Sequence, residues 1–281
     1  MRNLKYVSKQ GSNIKPNEDK ITILDGAAWV LDGATGITGK RVADKETDAL
    51  WYVEFINNYL KENIKSSKSL KEIMKCAIKE VKKSYSKFNG YKNLEKVDYP
   101  CAAIALVRFT ERELEYFVLG DCTLILKEKG KNPVEIVNKK LIELEEYILN
   151  RMVKVAKENK ISILEARKHC DDEVLKVRKK KNTSDGYWIL ELNEEAIDKA
   201  LYGKILISEE LDICLTSDGF SQYYDTFNLA KGYDEFINIV KSININDVYN
   251  NLYNSQEKDN ECNLFPRLKK RDDSSIIFFT I

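Results

Sequence analysis

The sequence of 281 residues is poor in histidine, proline and net charge, and each shortage excludes something. His169 is the only imidazole, so a Ser-His-Asp or Cys-His hydrolase would have to be built around it, and no G-x-S-x-G elbow is present. Six cysteines are scattered at 76, 101, 122, 170, 214 and 262 with no C-x-x-C pair. That excludes a Cys/His zinc site of the usual spacing and argues against a disulfide framework. Four prolines leave no obvious hinge. Lys+Arg (46) and Asp+Glu (45) nearly cancel to +1, which argues against a nucleic-acid partner held by a broad basic field. No apolar run approaches the ~20 residues needed to span a bilayer, and M-R-N-L-K-Y-V-S-K-Q has no signal-peptide core. These absences predict a soluble cytoplasmic protein with reduced thiols and no membrane partner. Any catalysis would draw on carboxylates, metals or water.

Hydrophobic residues at 43% and charged residues at 32% allow a real core, and length alone allows one domain or two. In I-T-I-L-D-G-A-A-W-V-L-D (21–32), two apolar runs flank Asp25-Gly26, the turn pair of a tight hairpin. Helices are expected over about 47–64 and after Ser69-Leu70-Lys71-Glu72, a capping box. Strands are expected at about 101–109, 114–119, 122–127, 187–192, 211–216 and 275–281. Between them, 139–160 carries a helical stripe of Leu141, Leu144, Ile148, Met152 and Val155, and Ser162-x-x-Glu165 caps a short helix. Further helices are expected near 233–242 and 247–256. Helices grouped between blocks of strands predict an α+β layered sandwich rather than a doubly wound sheet.

Acidic residues recur where apolar strands end. Trp29-Val30-Leu31 runs into Asp32-Gly33, Phe117-Val118-Leu119 into Gly120-Asp121, and Ile213-Cys214-Leu215-Thr216-Ser217 into Asp218-Gly219. Glu18-Asp19 precedes the hairpin, and Asp272-Asp273 precedes the last strand. Carboxylates gathered on one rim repel unless cations neutralise them. Oxygen donors without His or Cys select Mg²⁺ or Mn²⁺ over zinc. Two such ions about 3.5–4 Å apart bind a phosphoryl group and turn water into hydroxide near neutral pH. Gly33, lacking a Cβ, lets its carbonyl approach a metal.

The series N-E-D (17–19), V-L-D-G-A-T-G (30–36), L-G-D-C (119–122), L-T-S-D-G (215–219) and R-D-D-S-S-I-I (271–277) resembles the metal-dependent serine/threonine protein phosphatases of type 2C. The resemblance runs from about residue 7 to 281 and is poor over 127–204. It implies a single domain, a four-layer α-β-β-α sandwich with a central antiparallel β-sandwich flanked by helix pairs, and a two-metal site at one edge. It implies that Asp32 bridges both Mg²⁺ or Mn²⁺ ions, that the Gly33 carbonyl binds one, and that Asp218 and Asp272 complete the other's shell. Glu18 and Asp19 would act directly or through waters, and Asp121 would hold a third, weaker ion with Asp218. Asp273 stands where many members have Asn and is left outside the metal shell. The insert at about 127–204 would form a flap beside the site, and the substrate would be a phosphorylated protein.

Two positions depart from the family pattern. Ile14, followed by Lys15, stands where members carry a phosphate-binding Arg; Lys15 can meet phosphate as a point charge but cannot form the bidentate fork. Ala34 stands where some members have a His proposed as general acid. Slower turnover, a different substrate or an Arg supplied from elsewhere would follow. Arg178-Lys179-Lys180-Lys181 reads as a solvated turn rather than an anion-docking patch, His169 as an ordinary polar residue rather than a substitute acid or substrate contact, and Cys101, Cys122 and Cys214 as small core residues rather than redox sensors. Two other functions compete: a phosphatase-like protein that binds phosphopeptides or a partner without turnover, and a nuclease or pyrophosphatase on a similar carboxylate site.

Overall fold

Asp25-Gly26 makes the expected tight turn, with Gly26 at φ +80°, and joins β2 (Asp19–Leu24) to β3 (Ala27–Ala34). The computed structural model describes all residues, 1–281. β3 continues into a sheet with β4 (Cys101–Phe109), β5 (Glu113–Leu119) and β8 (Leu201–Leu206), in the order β2-β3-β4-β5-β8. A second antiparallel sheet runs β1-β10-β9-β6-β7, with β1 at Arg2–Lys9, β6 at Thr123–Glu128, β7 at Val134–Ile136, β9 at Leu211–Thr216 and β10 at Ser274–Thr280.

The two sheets stack because their central strands are apolar on both faces. On β3, Ala28 and Val30 point into the space between the sheets and Trp29 and Leu31 point outward; on β10, Ile277 and Phe279 go in, and Ile276 and Phe278 go out. The outward faces need cover. α1 (Asp48–Asn63) and α2 (Leu70–Tyr85) lay Tyr52, Val53, Ile56, Ile73 and Ala77 over Trp29 and Leu31. α2 starts at the predicted capping box, with Ser69 and Glu72 satisfying each other's backbone N–H. α8 (Tyr233–Ser242) and α9 (Ile245–Lys258) cover the other sheet through Phe236, Val240, Val248 and Leu252. The protein is thus an α+β four-layer α-β-β-α sandwich, and no helix is long and apolar enough to cross a membrane.

Between β7 and β8 lie α3 (Lys139–Asn159), α4 (Ile163–Ala166), α5 (Asp171–Lys179) and α6 (Glu195–Asp198). The stripe on α3 buries Leu141, Ile148, Met152 and Val155 against the central core. Two sequence expectations fail here. Residues 187–192 are not a strand; they touch the sheet only through an Ala102–Leu190 bridge, with both N···O distances 3.0 Å. The reason is that β4 already pairs with β3 and β5, and only its first residues, before the Ile104–Leu119 register begins, lack a second partner. Nor is Arg178–Lys181 a solvated turn. Lys181 is 1% exposed and ion-paired to Glu191 at 2.9 Å, its Nζ also donating to the Tyr99 carbonyl at 2.8 Å. β1, β7 and β8 are edge strands, and their weak apolar patterning is the reason they are not visible in the sequence.

Candidate metal centre

The sandwich brings carboxylates from both sheets to one edge. Asp19 and Asp32 are register partners across the β2–β3 hairpin. Asp218 opens the short helix α7 (Asp218–Ser221) directly after β9, and Asp272 stands two residues before β10. Ser217 ties these elements together. Its hydroxyl donates to Asp19 Oδ2 at 2.9 Å and accepts from the Ser275 N–H at 2.9 Å. The approach is close enough that a Cβ on Gly219 would fall 2.0 Å from the Asp273 carbonyl oxygen, so no larger residue follows Asp218 here. Gly120, at φ +83°, turns the chain off β5 and delivers Asp121 to the same edge.

Asp273 does a different job from its neighbour. Its two oxygens accept from the backbone N–H of Gly11 (2.8 Å) and of Glu18 (2.6 Å), pinning the loop that carries Glu18. Glu18 in turn accepts from the Thr35 hydroxyl at 2.7 Å. Glu18, Asp32, Gly33, Asp121, Asp218 and Asp272 all line one cleft of about 1970 Å³, while Asp19 lies buried behind them at 3% exposure. Lys15 lines the cleft from an exposed position, and Ile14 is 93% exposed. His169 is exposed and outside the cleft.

Crowding of like charge marks the site. Burial, followed by the charges of Asp218, Asp19 and Asp121, pushes Asp32 well above the usual carboxylate range. Burial lifts Asp19 as well, against hydrogen bonds from Ser275 and Ser217 that pull it down. Asp218 is raised to about 7 by burial and then by Asp272 and Asp121. Asp121 is raised by burial. Lys269 answers part of this charge, pairing with Asp272 at 2.5 Å, and the surrounding carboxylates push its own pKa up despite burial. One ammonium cannot neutralise the group. Asp19 Oδ1 and Asp218 Oδ1 are buried with no hydrogen-bond partner at all. Orphaned anionic oxygens of this kind are where a hard cation fits. Burial and then the same carboxylates push the Cys122 thiol well above its usual range, so it offers no thiolate donor here.

Sequence reasoning missed one acidic residue. Glu145 on α3 places a carboxylate oxygen within 4.8 Å of ligand oxygens of Asp121 and Asp218. Burial, then Asp121 and Asp218, raises it to about 8. The signal was there: 141, 145, 148 and 152 share one helix face, so Glu145 interrupts a stripe that is otherwise Leu, Ile and Met. An acid on the inward face needs a partner.

Comparison with known proteins agrees with this fold. A family model described as protein phosphatase 2C matches residues 10–248. Comparison with curated protein sequences gives no match. Among solved structures, the Mycobacterium tuberculosis serine/threonine phosphatase PstP/Ppp superposes with a TM-score of 0.58 at 12% identity, covering 99% of this chain and 97% of that one. Stp1, a serine/threonine phosphatase from Staphylococcus aureus, gives 0.56 at 13% identity over 100% and 95%. The catalytic domain of PstP in complex with two manganese ions gives 0.57 at 12% identity over 99% and 97%.

Proposed function

We propose that this chain, which belongs to the protein phosphatase 2C family, hydrolyses phosphoserine and phosphothreonine in proteins with the help of two Mg²⁺ or Mn²⁺ ions. The observation that carries the reading is the convergence of Asp19, Asp32, Asp218 and Asp272 with two buried oxygens left unpaired. In this reading Asp32, the Gly33 carbonyl, Asp218 and Asp272 would hold the cations, and Glu18 and Asp19 would act on them directly or by orienting water. Bound there, such ions would neutralise the carboxylates and a phosphoryl group and would make hydroxide available near neutral pH. Asp273 keeps Glu18 in place, and Ser217 orients Asp19. Asp121 and Asp218, joined by Glu145, would hold a third, weaker cation, since their carboxylate oxygens lie within 4.8 Å of one another. Lys15 offers a point charge to the arriving phosphate.

Purified protein is expected to hydrolyse p-nitrophenyl phosphate and phosphothreonine peptides with Mn²⁺, to stop in EDTA, and to lose turnover in Asp32→Ala. Full activity in EDTA would sink the reading. A second reading is binding of phosphoproteins without turnover. It is favoured by Ile14, an exposed apolar side chain where the family pattern has an arginine. Metal binding with no hydrolysis of any phosphopeptide would select it.

A further inference from the structure

We propose that Arg178, near the end of α5, is the guanidinium that grips the substrate's phosphate in place of the arginine lacking at position 14; this rests on the phosphatase-fold reading above. The lining of the cleft includes nine Lys and Arg residues. Five are committed to carboxylates: Lys269 to Asp272 at 2.5 Å, Arg267 to Asp259 at 2.9 Å, Lys40 to Asp98 at 3.2 Å, Lys139 to Glu135 at 2.9 Å, and Arg167 to Asp171 at 2.6 Å. Lys15, Arg41 and Lys168 are exposed, where water screens them. Arg178 is the ninth. It is partly buried and makes no ion pair, and its one hydrogen-bond contact is a weak one, Nη1 to the Cys101 sulfur at 3.5 Å.

A guanidinium has five donors in a planar fork suited to two phosphate oxygens. Here four of those donors have no protein acceptor. Burial works against the charge, yet the guanidinium stays ionised, its pKa held above the ordinary arginine value. The backbone is held on both sides. Val177 is buried in the central core, and Lys181 is locked by Glu191 and the Tyr99 carbonyl. Arg178 therefore stands preorganised beside Asp121, whose pKa it lowers, on the wall of the cleft that holds Asp32 and Asp218. The alternative is a counter-charge that only offsets Asp121 and Glu145.

The test compares Mn²⁺-loaded wild type with Arg178→Ala, Arg178→Lys and Lys168→Ala. The readouts are kcat and KM for a phosphothreonine peptide, the inhibition constant of inorganic phosphate, and Mn²⁺ affinity by calorimetry. Arg178→Ala is expected to raise KM and the phosphate inhibition constant about 10–100-fold, the loss of a charged hydrogen-bonded contact. Arg178→Lys should recover part of the loss, Lys168→Ala should stay within about twofold of wild type, and Mn²⁺ affinity should change little. Unchanged KM and phosphate inhibition in Arg178→Ala overturn the proposal. So does a tenfold gain in Mn²⁺ affinity without a change in KM, which identifies a counter-charge. If Arg178→Ala does not fold, Arg178→Lys carries the same comparison, and wild-type KM and phosphate inhibition there also overturn the proposal. If wild type turns nothing over, calorimetric phosphopeptide binding replaces KM. Weakened binding in the Arg178 variants then supports the proposal while the activity reading fails, and undiminished binding overturns it.

Discussion

Replacing Asp218 by Asn should stabilise the metal-free protein and make it less responsive to metal. Burial, Asp272 and Asp121 lift the Asp218 carboxyl from 3.8 to about 7. At about 1.36 kcal/mol per pH unit, forcing it to ionise inside the fold costs on the order of 4 kcal/mol. The repulsion is shared with Asp32, Asp121 and Asp272, so the amide relieves only part of it, roughly 2 kcal/mol. For a chain of this size that is a rise in Tm of roughly 4–8 °C. The sign depends on pH. Unfolded, the carboxyl loses its proton near 3.8; folded, it keeps it to about 7. Within that window the native state binds more protons than the unfolded state, so stability falls as pH rises, and the full penalty is present above it. Thermal melts in EDTA should therefore separate Asp218→Asn from wild type at pH 8 and bring them together at pH 4. Adding millimolar Mn²⁺ at pH 8 should raise the wild-type Tm strongly and the variant's by less than half as much. A variant that is less stable than wild type at pH 8 without metal would refute the electrostatic account. Equal Mn²⁺ stabilisation of the two proteins would also refute it.

Other perturbations test neighbouring parts of the site. Arg267 is 4% exposed, pairs with Asp259 at 2.9 Å and also holds the Lys270 carbonyl at 3.0 Å. Arg267→Ala should cost about 1.5–3 kcal/mol in urea unfolding, because it takes the charged partner from a buried carboxylate and leaves it only the backbone N–H groups of Asn263, Leu264 and Phe265, and a loss under about 0.5 kcal/mol would contradict that. Asp273→Ala removes the acceptor for two backbone N–H groups, Gly11 and Glu18. It should lower stability by about 1.5–3 kcal/mol and speed amide exchange over residues 11–18, without removing a metal ligand. Glu145→Gln should weaken the third and loosest Mn²⁺ in a calorimetric titration and leave the two tighter ions in place. Unchanged stoichiometry and affinity would exclude Glu145 as a ligand.

The central strands were legible because burial on both faces writes continuous apolar runs, and α1 and α2 because their caps and helical spacing are local. The carboxylates were legible for a related reason. An acid at the end of one apolar run usually marks a turn, but the same placement repeated at Asp32, Asp121 and Asp218 points to a shared rim. Edge strands β1, β7 and β8 were not legible, since one face and one edge meet solvent and leave little pattern. Residues 187–192 misled because aromatic and branched residues make good strands only where a sheet offers an open edge, which β4 does for only a few residues. The basic run 178–181 misled for a similar reason. Four consecutive cations look alike in sequence, yet chain direction at the end of α5 sends Lys181 into a buried ion pair and Arg178 into the cleft.

By itself, then, the sequence determined the layered arrangement and placed acids at the strand ends that this arrangement gathers along one edge. Only the tertiary structure decided which charges remain unpaired. Pairing depends on distances of a few ångströms between segments more than a hundred residues apart, such as Asp19 and Ser217, and no local pattern encodes them. Asp273 spent on backbone amides, Glu145 turned inward from α3, and Arg178 left without a carboxylate are all consequences of packing.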